Sequence, residues 1–165
     1  MKKLFEFPKS EIERIAKDFP DEKLVKVISR ISSTEDEMTC VVVTQIFLER
    51  MVEKLFELKI QGNFWKDANL KWQYRTQILV LNQLDIIDDK LATLLNNFQS
   101  LRNKFAHVDH IITEKDILNI ATNDELHNSD QLNLACISLI MVLFGKESSL
   151  IDNFSETLGT ARREN

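Results

Sequence analysis

Apolar residues recur along most of this chain at intervals of three and four, the spacing that gathers them on one face of an α-helix. The clearest stretch is 86–107. There Ile87, Leu91, Leu94, Leu95, Phe98, Leu101 and Phe105 form one stripe on a wheel turned at about 100° per residue. The stretch 35–60 is apolar around more of its girth: Met38, Val41, Val42, Leu48, Val52 and Leu55 are joined by Val43, Ile46 and Phe47. A helix of that kind belongs at the centre of a bundle. Shorter patterns predict helices over 10–18, 21–31, 67–83 and 114–121, and the run LACISLIMVLF (134–144) predicts a last one over 129–144. The expectation is about seven helices.

Polar residues mark the ends. Ser10 with Glu13, and Thr34 with Glu37, have capping-box spacing, and Thr113 with Asp116 repeats it more weakly. Pro20 followed by Asp21 and Glu22 suits the first turn of a helix. Glu35, Asp36 and Glu37 complement the N-terminal dipole of the long third helix. Gly62 and Gly145 are the expected stops, Leu84-Asp85 is a short break between the fourth and fifth helices, and the tail TARREN (160–165) is expected to fray.

Composition narrows this picture. Three glycines and two prolines leave little room for a hairpin-rich β fold, and no repeat or linker divides the chain. The reading is an all-α, single-domain helical bundle over 1–165, with an ordered core over about 10–145. A net charge of −5 argues against broad non-specific binding to duplex DNA, while leaving room for a local basic site. Cys40 and Cys136 lie in apolar runs and read as small buried side chains rather than a metal site, with a disulfide as the alternative. The two lysines at the start precede no long apolar stretch, unlike a signal peptide. The 134–144 run has about half the length that a bilayer requires. No membrane association and a cytoplasmic location are expected.

The candidate chemistry sits in QSLRNKFAHVDH (99–110). Arg102 falls inside the apolar stripe, between the directions of Leu95 and Phe98. A guanidinium cannot shed its charge, so it must meet a carboxylate, the carbonyls of a helix end, or a wet cleft or subunit interface. His107 lies about 140° from Arg102 around a continuous helix but about 40° from Asn103, one turn earlier. A histidine can move protons near neutral pH, an arginine can brace a phosphorane-like transition state, and an asparagine can orient either. These residue types suit metal-free cleavage of RNA by its own 2′-hydroxyl. The blander alternative is that Asn103 and His107 cap the helix while Arg102 pairs with an acid. His107 and His110 have H-x-x-H spacing without a third ligand, so neither a metal nor another cofactor is expected.

LRNKFAH resembles the R-x4–6-H signature of the HEPN superfamily, small α-helical proteins that include many dimeric ribonucleases; Asn103 matches the polar position after the arginine. The longer stretch 74–107 is similar to the mannitol-operon repressor family, in which an arginine-led helix, a break and a second helix ending in RN-x-FAH recur. Arg75 would be the leading arginine. At the break that family often has glycine or another small residue, where this chain has VLNQLDII. The first resemblance implies a homodimeric endoribonuclease of toxin or defence type with Arg102, Asn103 and His107 in a shared cleft, an RNA substrate and perhaps-absent metal need not be invoked. The second implies a non-catalytic transcriptional regulator or binding module acting through a protein partner; an antitoxin is a further partner class under the first.

Lys71, Arg75 and Lys104 are weaker candidates for contacts to single-stranded RNA. Trp65 and Trp72, with Lys66, Lys71 and Arg75 nearby, could stack bases and hold phosphates, although packing into the core is the favoured alternative. Arg75 might instead anchor the helical hairpin through an acidic neighbour. Glu49, Glu53 and Glu57 read as a solvated face, and His127 as a turn or cap residue. The nearly unbroken apolar last helix suggests a face that meets a second copy of the chain.

Overall fold

The computed structural model describes residues 9–18, 21–60, 73–107 and 110–161; at His107 and from Leu150 onward the description is of the backbone. These residues form seven α-helices, one 3-10 turn and no strand, the all-α bundle that the apolar spacing predicts. They are α1 (Lys9–Asp18), α2 (Glu22–Ser33), α3 (Glu37–Lys59), α4 (Tyr74–Gln83), α5 (Asp89–His107), α6 (Glu114–Ile120) and α7 (Leu132–Ala161), with the 3-10 turn Ser129–Gln131 before α7.

α3 is the hub. It packs most extensively on α7 and also on α2, α4 and α5. Cys40, Val41, Leu48, Met51, Val52, Leu55 and Phe56 are buried, while Met38 and Ile46 face outward. The Cys40 and Cys136 thiols are free and buried, their sulfurs 3.7 Å apart across the α3/α7 contact. The hydrogen bond to Cys136 and burial both push the Cys40 thiol up, so it stays protonated.

Several boundaries differ from expectation. α3 is capped by Asp36, whose carboxylate accepts the Thr39 amide at 2.7 Å; Thr34 instead closes α2. Asp21 is likewise the cap before α2, rather than a residue inside it. In both cases an aspartate one step nearer the helix outcompetes the expected start. Ser10 lies within α1 rather than capping it. Gln73 is extended, so α4 is not the continuation of a helix begun at 67. Pro20, Gly62, Trp65, Lys66, Lys71, Trp72 and the last four residues lie outside the described residues.

The α4–α5 break is a tight helix ending, and α5 begins at Asp89, three residues later than expected. Asp85 takes a left-handed φ of 54°. The Ile86 amide then returns to the Leu81 carbonyl at 2.9 Å, and the Asp85 amide to that of Asn82 at 3.0 Å. This is the Schellman pattern, which favours glycine at the left-handed position and tolerates aspartate there. Asp88 then caps α5 by accepting the Leu91 amide at 2.8 Å.

α7 does not stop at Gly145. That glycine needs no left-handed backbone, and beyond it Lys54 of α3 pairs with the buried Glu147. The segment Ser129–Ser149 is long and apolar enough to cross a membrane by length and composition, and half of it is buried inside the bundle.

Candidate functional site

α5 carries the candidate residues, and its two flanks treat them differently. Its stripe is buried from Ile87 through Leu101, and Phe105 is partly buried. Arg102 lies in the direction of that stripe yet is exposed, because the cover over the buried turns does not extend over its side chain. Its Nη1 donates to Asn103 Oδ1 at 3.3 Å. Among the described residues it makes no ion pair, so the expectation that an acid neutralises it is not met. Of the three environments open to it, Arg102 occupies the wet one.

Arg75, at the start of α4, is also exposed. Its Nε donates to Gln99 Oε1 at 2.8 Å and its Nη2 to Ser100 Oγ at 3.4 Å. Arg75 therefore ties the helical hairpin together, but through neutral groups and not the expected acidic neighbour. Gln99 and Ser100 flank the direction of Asn103, one turn earlier on α5. The structure thus brings Arg102 and Asn103 together and sets Arg75 on the adjoining surface. Each guanidinium keeps its charge and several unused N–H donors. Position 107 is the last residue of α5 and shares by register the face of Ser100 and Asn103; the role expected of its imidazole lies outside the described side chains.

Lys104 points the other way. Its Nζ lies 2.6 Å from Asp116 Oδ1 of α6, and its side chain is only half exposed. A lysine so engaged is a poor phosphate contact, and Lys104 separates from the Arg75/Arg102 surface. The same carboxylate, 4% exposed, accepts His110 Nε2 at 3.0 Å, Thr113 Oγ1 at 2.8 Å and the Thr113 amide at 3.0 Å through Oδ2. Burial alone would raise the Asp116 pKa. The bonds from Lys104, Thr113 and His110 outweigh it and hold the carboxyl well below the usual carboxylate range. Against an ionised carboxylate His110 presents Nε2–H, and its ring stands edge-on to Phe105 with centroids 5.4 Å apart.

Sequence reasoning saw Thr113 and Asp116 only as a weak capping box. The box is present in full. What it missed is that Lys104 and His110 converge on the same carboxylate, for which the sequence offers no spacing rule. Two recesses, of about 540 and 170 Å³, follow the α5/α6 seam, and neither is lined by Arg102 or Asn103. No group of three or more His, Cys, Asp or Glu side chains suited to a metal occurs among the described residues. His127 is exposed, and its amide donates to Gln131 Oε1 at 3.1 Å in the turn before α7. Set against models of known families, curated proteins and solved structures, the chain matches none.

Proposed function

We propose that this chain is a HEPN-like, metal-independent endoribonuclease acting in the cytoplasm as a homodimer. The observation that carries the reading is the exposed Arg102–Asn103 pair, whose guanidinium no carboxylate among the described residues neutralises. In the proposed reaction the 2′-hydroxyl attacks the adjacent phosphorus and gives up its proton, with His107 as the proton carrier. The P–O5′ bond breaks, the leaving 5′-oxygen takes a proton, and a 2′,3′-cyclic phosphate remains. Arg102 stabilises the added negative charge, and Asn103 orients Arg102 or the phosphate. Arg75 supplies a second cation for the RNA backbone. An exposed strip needs a second surface to make a cleft, which is what a second copy would provide.

The test is cleavage of a labelled single-stranded RNA in EDTA by the wild type, Arg102→Ala and His107→Ala. Wild-type cleavage to cyclic phosphate ends, lost in both variants, supports the reading. Folded wild type that leaves several RNAs intact overturns it.

One observation favours a second reading, a non-catalytic regulator or binding module similar to the mannitol-operon repressor family. The left-handed Asp85 stands at the break where that family often has glycine, so the hairpin likeness extends to the backbone conformation a glycine would favour.

A further inference from the structure

His107 lies midway between two residues that share one partner. Lys104, three positions before it, and His110, three positions after it, both bond to the buried Asp116, at 2.6 and 3.0 Å. Thr113 adds its hydroxyl and amide to the same carboxylate. One side chain of α6 therefore holds the last turn of α5 and the chain that follows it. Two further contacts brace this point. The His110 ring packs edge-on against Phe105, and the Ile112 amide donates to Glu37 Oε2 of α3 at 3.4 Å.

We propose that Asp116 is the positioning residue for His107, acting through Lys104 and His110 to fix the end of α5. The role at the reacting atoms rests on the ribonuclease reading; the clasp itself does not. A capping box needs only Thr113 and Asp116. The two additional donors come from the residues that bracket His107, and both are ionisable partners suited to a buried carboxylate. Removing either leaves the cap intact while freeing one side of the bracket. A proton carrier on a loosened helix end loses the alignment that proton transfer requires, while RNA binding through Arg75 and Arg102 continues.

The experiment compares wild type, Asp116→Asn and His110→Ala, the second variant keeping Lys104 and Thr113 on the carboxylate should the first fold poorly. Three measurements are made: the NMR titration of the His107 imidazole, amide hydrogen exchange at 104–107 and 110–113, and kcat and KM on the labelled RNA. The expected result is a displaced His107 titration, at least tenfold faster exchange in those two segments alone, and a kcat lowered at least tenfold with KM unchanged. A His107 titration that both variants leave where it was overturns the proposal, even if stability falls, because that is what a purely structural clasp gives. A wild type that cuts no RNA while the His107 titration still moves defeats the nuclease reading and leaves the positioning standing. Cleavage with an unaltered kcat in both variants defeats the positioning and leaves the nuclease.

Discussion

The two flanks of α5 are built from similar residues and used in opposite ways. Toward α6, Lys90, Asn97 and Lys104 recur every seven residues, and each is consumed. Lys90 Nζ meets the Thr122 carbonyl at 3.2 Å, Asn97 Nδ2 the Asn119 carbonyl at 2.8 Å, and Lys104 the Asp116 carboxylate. Toward α4, Arg75 and Arg102 rest on amides and a hydroxyl, which satisfy some donors without cancelling any charge. A lysine beside a buried carboxylate is part of the fold. An exposed arginine held by neutral groups is preorganised at little cost to its attraction for an anion. The contrast separates Lys104 from Arg102, two positions apart, more sharply than the sequence can.

The largest test of that contrast is functional. Arg102→Ala is expected to lower kcat on single-stranded RNA by about 10²–10³-fold, the loss typical of removing one donor to a transition-state anion. Its unfolding free energy should stay within about 0.5 kcal/mol of wild type, as for an exposed site outside the core. Single-turnover cleavage and urea unfolding on the same preparations check both. A stability loss of several kcal/mol in Arg102→Ala would make the arginine structural and erase the distinction between the flanks.

On the opposite flank the effect should appear in stability. Lys104→Ala removes one partner from a carboxylate that is almost fully buried, and the half-exposed lysine limits the cost to about 1–2 kcal/mol by urea unfolding. Asp116 also predicts an acid limb. Its pKa is depressed in the folded protein, so its contribution is complete above the unfolded value of about 4 and is lost as the pH falls below that toward the folded value. Asp116→Asn should therefore lose less stability than wild type between pH 5 and about 2.5, although it starts lower. Equal losses in the two proteins would show that other carboxylates set the acid limb.

How far the sequence carries depends on the range of the interaction. Helices were legible because their apolar spacing is local, and the burial of Leu91, Leu94, Leu95, Phe98 and Leu101 follows the stripe. Cap identity was less so: Thr34 and Asp36 both suit a start, and only the backbone path decides between them. Gly145 was misread because a glycine stops a helix when a left-handed turn is needed, and here the partner of Glu147 on α3 favours continuation. The site divides the same way. The Arg102–Asn103 pair is local and was found. The exposure of Arg102 and the gathering of Lys104 and His110 on Asp116 depend on how α5 meets its neighbours, which no wheel contains.

The smallest expected effect asks what holds the open flank in place. If the hydrogen bonds of Arg75 to Gln99 and Ser100 fixed the α4–α5 hairpin, Arg75 would be as structural as Lys104. The turn at Asp85 is the stronger candidate, since its Schellman bonds lie in the backbone and Asn82 adds Nδ2 bonds to the Ile87 carbonyl at 3.2 Å and to Asp89 at 3.0 Å. Asp85→Gly should raise stability by up to about 1 kcal/mol by removing the left-handed penalty, offset in part by the entropy of glycine. Arg75→Ala should change it by less than about 0.5 kcal/mol, because exposed bonds to neutral groups exchange readily for bonds to water. The reverse ranking in urea unfolding would mean that Arg75 is spent on the fold, leaving Arg102 as the cation that this flank offers to RNA.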